Sequence, residues 1–222
     1  MSVYGDLVAR EGLSVAHEQL LAAVPAGVRV LDVGCATGYL AAELHRRGHE
    51  VVGLEGDPRA AAQAVARTQI EVIQADLDRP DAIVIGGRFG AVVCGDVLEH
   101  LRAPAATLER LAGVLELGGV LVVSLPNAVH WTARRHVLRG RFPQDDHGLF
   151  DRTHLRFFTR ATGRALLTDA GFRVVAEHPI EAPLPLEAHV RLPGRLRARV
   201  VQRWPELFAL QFVFVAKRAG DA

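Results

Sequence analysis

Apolar runs of five or six residues alternate with segments of helical periodicity along most of the chain. The run Val28–Val33 is rich in Val and Leu, as expected for a strand buried on both faces. The segment 39–47 has leucines four residues apart at Leu40 and Leu44, which is typical of a helix, and Gly48 follows as its C-terminal stop. The same criteria predict further strands at 50–55, 70–74, 89–94, 120–125, 172–177 and 208–216, and helices at 12–24, 59–67, 105–115 (ended by Gly118–Gly119) and 159–170.

Strands separated by helices predict a doubly wound α/β fold, with a mostly parallel seven-stranded sheet and helices on both faces. The whole chain, 1–222, is interpreted as one domain, because 222 residues with 50% hydrophobic residues suffice for one large core. Two segments interrupt the alternation, 127–158 after the fifth strand and 180–205 before the last. Since ligands of such sheets bind at the carboxyl ends of the strands, both segments are predicted to lie on the substrate side.

Charge and cysteine content exclude several classes of protein. The net charge is +1, so nothing favours nucleic acid or a membrane surface as a partner. Cys35 and Cys94 are too few for a disulfide framework, and we interpret them as small buried residues rather than as a redox pair. The N-terminus lacks a signal-peptide core, and no apolar run reaches the roughly 18 residues of a membrane helix. These observations predict a cytoplasmic location.

The stretch VLDVGCATGYLAAEL, residues 30–44, has the pattern of a strand, a glycine-containing turn and a helix. A dinucleotide-binding loop would have glycine at two positions where this chain has Ala36 and Tyr39. Gly34 allows a tight turn, and Gly38 is predicted to let the start of the helix approach a ligand closely. Free amides at the helix N-terminus could hold one carboxylate. The loop therefore indicates a nucleotide-like ligand other than a dinucleotide.

Acidic residues end the second and third predicted strands. Glu55 follows Gly34 at the spacing of about 20 residues at which an acid holds a ribose diol. Asp76 follows the third strand, where an acid beside a free backbone amide could recognise an adenine edge. A ligand with one carboxylate, one ribose and one adenine fits these groups better than a dinucleotide does.

Five motifs in order resemble those of class I S-adenosylmethionine-dependent methyltransferases: VLDVGCATGY, VVGLEGDP, QADLD, FGAVVCGDVLEHL and LELGGVLVVSLPN. Two later stretches, GLFDRTHLRFFT and LLTDAGF, resemble a bacterial branch similar to ubiquinone-type O-methyltransferases, whose members often occur in sugar, polysaccharide or natural-product pathways. The resemblance implies the Rossmann-like methyltransferase fold with an antiparallel last strand. It also implies S-adenosyl-L-methionine as cofactor and a small-molecule or glycan acceptor.

The resemblance further implies a role for residues at the strand ends. The loop 34–38 would surround the methionine part of the cofactor, Glu55 would hold the ribose hydroxyls, and the floor near the sulfonium would include Asp96. Asp32 would act indirectly, by orienting the loop or the cofactor's amino group. The residues implied to bind the cofactor are Asp32, Gly34, Cys35, Ala36, Thr37, Gly38, Glu55, Asp76, Leu77, Cys94 and Gly95.

Histidines are concentrated in the segment 127–158. His154 follows Asp151 by three residues and His147 follows two aspartates, and a nearby carboxylate can orient an imidazole and stabilise its charged form. We therefore predict His154 or His147 as the proton acceptor for a hydroxyl substrate, which favours O-methylation; the alternative is that these histidines only bridge the loop. No histidine has a metal-type spacing to a cysteine, so no metal ligand is predicted.

Two further alternatives remain open at this stage. Glu99 and His100 are adjacent, so they are expected to point in different directions and to have a structural or cofactor-side role. The stretch PNAVHW also resembles the MetW family, whose members look like cofactor-binding partners of another biosynthetic enzyme rather than free-standing methyltransferases. A homodimer is also left open.

Overall fold

The computed structural model describes residues 12–188 and 193–220. One seven-stranded sheet runs through this part of the chain. The strands are β1 (Arg29–Val33), β2 (Glu50–Glu55), β3 (Glu71–Gln74), β4 (Phe89–Gly95), β5 (Leu115–Pro126), β6 (Phe172–Glu181) and β7 (Ala209–Arg218). The α-helices are α1 (Val15–Ala23), α2 (Tyr39–Arg46), α3 (Pro58–Thr68), α4 (Pro104–Ala112), α5 (Trp131–Leu138), α6 (Arg160–Asp169), α7 (Gly194–Arg203) and α8 (Pro205–Phe208).

The strand order of the sheet is β3-β2-β1-β4-β5-β7-β6. Strands β1 to β5 pair in parallel, while β7 is antiparallel to both of its neighbours. The predicted fold class, a doubly wound and mostly parallel seven-stranded sheet with an antiparallel last strand, is confirmed. The chain moves outward from β1 to β3 and then returns to β4, so the strand order reverses between β1 and β4. Sheets of this type bind ligands at that switch point.

Burial on both faces explains why the central strands are apolar. Neighbouring residues of a strand point to opposite faces, and Val30 and Leu31 of β1 accordingly belong to two separate buried clusters. Leu20 of α1 belongs to the Val30 cluster, whereas Leu108 of α4 belongs to the Leu31 cluster. The two helices therefore cover opposite faces of the sheet.

The boundary between α4 and β5 differs from the sequence prediction. The pattern predicts a helix at 105–115 ended by Gly118–Gly119, but α4 ends at Ala112 and β5 begins at Leu115. Leu115 is fully buried and pairs with Phe89 of β4. The glycine pair therefore lies inside an irregular part of β5, because pairing with β4 and burial outweigh the helical spacing of the leucines.

Helix α1 is shorter than the predicted 12–24 because a capping box fixes its start. Ser14 Oγ accepts a hydrogen bond from the His17 amide at 3.2 Å, and His17 Nδ1 accepts one from the Ser14 amide at 3.1 Å. The His17 side chain is buried. The cap thus holds an imidazole in a fixed position near the carboxyl ends of the strands.

The segment 127–158 is closed at its base. Asn127 forms an isolated bridge with Phe158, and the Ala128 amide donates to the Phe158 carbonyl at 2.8 Å. The fully buried Asn127 amide group donates to the carbonyls of Glu206 and Ala209, at 3.0 and 2.8 Å. The two ends of this segment are therefore anchored to each other and to the chain that leads into β7.

The prediction that the segment 180–205 lies on the substrate side stays a prediction. The first residues of this segment extend β6, and α7 packs against that edge strand. None of its described residues, 180–188 and 193–205, lines either of the two cavities discussed below. In the described ranges, no helix is long and apolar enough to cross a membrane.

Removing the Asn127 side chain is expected to destabilise the fold. Asn127→Ala deletes two donated hydrogen bonds and the 3.2 Å bond from the Val129 amide to Asn127 Oδ1. At ~1 kcal/mol for each lost bond, the free energy of unfolding should fall by about 3 kcal/mol, as measured by urea denaturation. Gln144→Ala, at an exposed position of the same segment, should change it by less than about 0.5 kcal/mol. Equal free energies of unfolding for the two variants would show that the hydrogen bonds of the Asn127 side chain do not stabilise the fold.

Candidate active site

The loop after β1 combines three residues with left-handed backbone. The φ angles are 66° at Gly34, 48° at Ala36 and 78° at Gly38. A side chain at Gly34 is excluded because a Cβ there would lie 2.6 Å from Val97 Cγ2. Ala36 is the unusual member, since non-glycine residues rarely adopt positive φ outside functional loops.

Gly38 is required for helix packing, and its predicted close approach to a ligand stays a prediction. A Cβ at Gly38 would lie 3.0 Å from the Cα and Cβ of Ala64 in α3, in addition to the cost of its positive φ. The sequence analysis assigned this glycine to close approach of a ligand. The structure assigns it to close packing between the start of α2 and α3, and Gly38 does not line the cavities at this edge of the sheet.

Glu55, at the end of β2, accepts a hydrogen bond from the loop after β1. Its Oε2 accepts from the Ala36 amide and its Oε1 accepts from the Asp57 amide, both at 2.8 Å. A carboxylate oxygen has more than one acceptor direction, so these contacts leave capacity for ribose hydroxyls. Glu55 therefore fixes the strained residue of the loop, a function that its sequence position alone did not indicate.

A first cavity, which we call the cofactor cavity, opens beside this loop. Its volume is about 370 Å³, within the range of small-molecule sites. Four of the residues that the family resemblance implies to bind the cofactor line this cavity: Gly34, Ala36, Leu77 and Gly95. Asp96, which the resemblance placed near the sulfonium, and His100, for which a structural or cofactor-side role was expected, also line it. The sequence analysis did not assign the other lining residues to the cofactor, and they lie on α2, on the turn after β4 and in the segment 127–158: Tyr39, Val97, Leu101, Asp146, Asp151 and Thr153.

Other residues implied to bind the cofactor lie behind the cavity wall or outside it. Cys35 and Cys94 are buried free thiols, and burial raises the pKa of both well above the usual range. They therefore remain protonated and fill space. Asp76 is exposed, and its Oδ1 accepts from the Asp78 amide at 2.9 Å. Contact between Asp76 and an adenine stays a prediction.

Two buried polar atoms near the loop have no partner among the described residues: Asp32 Oδ2 and Thr37 Oγ1. Burial raises the pKa of Asp32 to about 7, a backbone hydrogen bond from Ala41 lowers it, and the charge of Glu55 raises it. An unpaired buried polar atom costs free energy unless a ligand or water satisfies it. These atoms and the loop amides fit a ligand with hydrogen-bonding groups, such as the amino acid part of S-adenosylmethionine.

A second cavity, which we call the acceptor cavity, lies on the other side of the turn after β4. Its volume is about 220 Å³. It is lined by α1 and its cap, the turn after β4, the segment 127–158 and the start of β7: Ser14, His17, Asp96, Glu99, Pro126, His147, Gly148, Leu149, His154, Leu210 and Gln211. Both histidines that the sequence predicted as proton acceptors, His147 and His154, line this cavity. The structure thus brings both histidines to one cavity.

Asp96 lines both cavities and is held rigidly. Its φ is 53°, and its Oδ1 accepts from Ser124 Oγ at 2.7 Å and from Gln211 Nε2 at 2.9 Å. Its own amide donates to Ser124 Oγ at 2.9 Å. An oriented carboxylate therefore lies at the junction of the two cavities.

Glu99, His100 and His154 form one group at this junction. One ligand atom from each lies within 4.8 Å of the other two. Glu99 lines the acceptor cavity and His100 the cofactor cavity, so the adjacent pair does face two cavities, but the two side chains converge on His154 instead of separating. This carboxylate and the two imidazoles are close enough that they could hold a metal ion, and the expectation that the chain has no metal ligand stays a prediction.

The charge states in this group follow from burial. Burial and the negative charges of Asp96 and Asp151 raise the pKa of Glu99 well above its usual range. Burial and the neighbouring His100 lower the pKa of His154, although Asp151 raises it. The sequence analysis expected Asp151 to stabilise a charged His154, but desolvation outweighs that attraction, and the imidazole is held neutral.

The remaining histidines of the segment 127–158 serve its packing. His130 is buried outside both cavities, its Nδ1 is 2.8 Å from Thr132 Oγ1, and burial lowers its pKa to about 4. His136 makes an edge contact with the Phe150 ring. Two of the four histidines in the segment therefore reach a cavity and two do not.

Comparison with known proteins identifies the class. Residues 9–177 match the family described as "Methyltransferase domain". The chain belongs to this family, and its fold is that of the class I S-adenosylmethionine-dependent methyltransferases. A SAM-dependent methyltransferase from Archaeoglobus fulgidus superimposes with a TM-score of 0.67 at 18% identity, covering 97% of this chain and 100% of that one. Magnesium protoporphyrin IX methyltransferase from Synechocystis PCC 6803, solved with bound SAM, gives 0.54 at 19% identity and covers 91% and 76%.

Among proteins of assigned function, the chain is similar to ubiquinone biosynthesis O-methyltransferases. The Alkalilimnicola ehrlichii protein is 38% identical over 112 residues, which cover 46% of this chain and 42% of that protein. The Psychrobacter arcticus protein is 30% identical over 172 residues, covering 72% and 65%. The match spans less than half the length of the first of these relatives and just under two thirds of the second.

The stability of the folded protein should decrease as pH rises, because Asp32 has a raised pKa in the folded state. Its folded-state pKa, about 7, lies above the value of about 3.9 for an unfolded chain, so the folded protein binds this proton more tightly. The resulting stability is fully present below about pH 4 and is lost as pH rises through about 7. Thermal unfolding of the ligand-free protein should show a melting temperature that falls between pH 5 and 8.

The substitution Asp32→Asn isolates this contribution. It should reduce the fall in melting temperature between pH 5 and 8, whereas Asp81→Asn, at an exposed position, should leave the fall unchanged. Glu99 acts in the same direction, so Asp32→Asn should not abolish the pH dependence completely. Parallel curves for wild type and Asp32→Asn would contradict the assignment.

Proposed function

We propose that this protein transfers the methyl group of S-adenosylmethionine to a hydroxyl oxygen of a small-molecule acceptor, such as a sugar or natural product. The observation that carries the proposal is the junction of two cavities at Asp96. The cofactor cavity is formed by the loop after β1, and the acceptor cavity contains two histidines that sequence analysis selected independently. The named function of the similar O-methyltransferases supports the same reaction class.

The cofactor supplies a methyl group that is already activated on a sulfonium. The loop 34–38, with the Thr37 hydroxyl, would hold its methionine part, and Glu55 would hold its ribose. What the chain must add is alignment of the acceptor and exclusion of water, and positioning of this kind can contribute about 7–11 kcal/mol. The segment 127–158 serves this purpose, because its residues line both cavities.

A hydroxyl acceptor also needs a group that takes its proton. The acceptor oxygen forms a bond to the methyl carbon, the bond from that carbon to sulfur breaks, and the proton moves to the chain. His147 and His154 line the acceptor cavity, and neutral imidazole is a suitable proton acceptor. We assign the proton to His154 or His147.

Cofactor binding should depend on Glu55. Glu55→Ala removes the acceptor for the Ala36 amide and for the ribose, and each charge-assisted hydrogen bond contributes about 1.5–3 kcal/mol. Calorimetric titration should show a loss of affinity for S-adenosylmethionine and for S-adenosylhomocysteine of at least about tenfold. Glu71→Ala, at an exposed site at the start of β3, is the control. Unchanged affinity of the Glu55 variant, or tight binding of NAD, would refute the assignment.

Turnover should depend on His147 and His154. Hydroxylated small molecules are screened with radiolabelled donor to find an acceptor, and each histidine is then replaced by alanine. Loss of a general base lowers kcat by about 10²-fold or more, with cofactor affinity nearly unchanged. For the variant that lacks the proton acceptor, the deficit should shrink at high pH, where the acceptor ionises without help.

The control for this experiment is His136→Ala, which lies in the same segment but lines neither cavity. It should methylate at close to the parental rate. Parental rates for both His147→Ala and His154→Ala would mean that neither takes the proton. If no acceptor is methylated while the protein co-purifies with another enzyme and changes that enzyme's activity, the role of a cofactor-binding partner would replace the present proposal.

A further inference from the structure

A third cavity, which we call the arginine pocket, is formed by α5 and α8. Its volume is about 430 Å³, within the range of small-molecule sites. It shares no residue with the cofactor cavity or the acceptor cavity. Five of its residues follow the spacing of a single helix face, and the full lining is Trp131, Arg134, Arg135, Leu138, Arg139 and Leu207.

The side chains of the arginine pocket offer hydrogen-bond donors and no acceptor. Guanidinium and indole groups only donate, and leucine does neither. None of the three guanidinium groups forms an ion pair with a carboxylate within the part of the chain that the structure describes. The surrounding stretch 127–144 contains neither Asp nor Glu. A ligand that fits this lining must therefore supply acceptors and negative charge.

The neighbouring structure does not neutralise the three positive charges. Glu206 is adjacent to Leu207, but its carboxylate pairs with Arg160 at 3.1 Å and forms no ion pair with Arg134. The C-terminal end of a helix carries about half a negative unit charge, which attracts three cations without balancing them. Since the net charge of the whole chain is only +1, the excess of positive charge at this pocket is local.

Two of the three guanidinium groups are held in place by the protein. Arg134 Nε donates to the Val129 carbonyl at 2.6 Å, which leaves its two terminal nitrogens to donate elsewhere. Arg135 Cζ lies 5.9 Å from the centre of the Trp131 ring, within the range of a cation–π contact. Arginines that are already oriented lose less freedom on binding, and the planar guanidinium matches two oxygens of a phosphate group.

The arginine pocket and the acceptor cavity lie at the same edge of the sheet. Pro126 at the end of β5 pairs with Gln211 near the start of β7, and both line the acceptor cavity. Leu207 of the pocket precedes Leu210 of the acceptor cavity by three residues. With 3.8 Å between consecutive Cα atoms, the Cα atoms of these two leucines are at most about 11 Å apart. One small molecule can therefore reach both places.

We propose that the arginine pocket binds a phosphate group of the methyl acceptor, while the hydroxyl to be methylated lies in the acceptor cavity. The binding of phosphate stands on the pocket itself, and its assignment to the acceptor rests on the function proposed above. The acceptor class is then a hydroxylated ring that carries a phosphate ester or a diphosphate, such as a sugar phosphate. A neutral acceptor of the same shape would leave the guanidinium groups without partners, so the pocket discriminates against it.

The first test is binding of inorganic pyrophosphate to the full chain, measured by calorimetry. Saturating S-adenosylhomocysteine is present, so that pyrophosphate cannot bind in the cofactor cavity. One equivalent should bind, and the affinity should fall as the salt concentration rises. The double variant Arg135→Gln/Arg139→Gln should lose at least about tenfold in affinity, because it removes charge-assisted hydrogen bonds.

A matched control removes two positive charges elsewhere. Arg67→Gln/Arg173→Gln alters two exposed arginines, on α3 and β6, that lie outside the pocket, and its affinity for pyrophosphate should stay within about twofold of the parent. Thermal melting establishes that both double variants are folded. No binding to the folded parent, or equal losses in the two double variants, would overturn the pocket.

Fluorescence locates the bound probe. The chain has two tryptophans, so Trp204→Phe leaves Trp131 as the only one. Pyrophosphate should change the emission of Trp131 in this variant, because it alters the contact between the indole ring and Arg135. An unchanged emission at saturating pyrophosphate would place the probe elsewhere and overturn the assignment.

The second test concerns the acceptor. Hydroxylated compounds are screened with radiolabelled donor in pairs with and without a phosphate group, such as glucose 1-phosphate and glucose. The phosphorylated member should have the higher kcat/KM. Arg135→Gln/Arg139→Gln should raise its KM by about tenfold, while kcat and the affinity for S-adenosylmethionine stay near the parental values. Equal methylation of both members of every pair would overturn the acceptor class.

The failures of the two proposals can be distinguished. Pyrophosphate binding in the pocket without any methylated product would leave the phosphate site standing and remove the proposed reaction. Methylation of neutral acceptors by a protein that binds no pyrophosphate would leave the reaction standing and remove the phosphate site. Retention on phosphatidylglycerol vesicles that is lost in Arg135→Gln/Arg139→Gln, with no binding of pyrophosphate, would replace the acceptor by a membrane surface.

Discussion

The close approach of two turns is the constraint on which the site depends. Strands β1 and β4 pair in parallel with Val33 opposite Cys94, so the loop after β1 and the turn after β4 leave the sheet side by side. They are so close that a Cβ at Gly34 would overlap Val97. Because of this contact, the cofactor cavity and the acceptor cavity share a wall instead of lying at separate places on the sheet edge.

The folded chain keeps several polar groups buried at this edge without partners. Asp32, Thr37 and Glu99 each have such an atom among the described residues, while the apolar clusters on both faces of the sheet are continuous. Burial of an unpaired polar atom lowers stability, and proteins usually tolerate it where a ligand completes the contact. The core on either side provides the stability that makes this tolerable.

Much of the fold followed from local patterns. The strands of the parallel part were predicted to within one or two residues apart from β5, because strands buried on both faces are uniformly apolar. The start of β5 was missed because pairing between Leu115 and Phe89 is a contact between distant residues. The loop 34–38 and Glu55 were selected as candidate site residues because they lie at the ends of predicted strands. His147 and His154 were selected because histidines are concentrated in the segment 127–158. The convergence of Glu99 with His154 was not predictable, since no local pattern connects a turn after β4 with a loop more than fifty residues later.

The anchoring of the segment 127–158 affects how such a protein can diversify. Its two ends meet at the bridge between Asn127 and Phe158, and the buried Asn127 amide secures that base to the chain before β7. Closing a loop whose ends already touch costs little more when residues are added or exchanged between them. The interior of this segment, which lines both cavities, can therefore change in sequence while the sheet and the loop after β1 remain unchanged. Asp146, Asp151 and Thr153 set the limit of that freedom, because they also form part of the wall of the cofactor cavity.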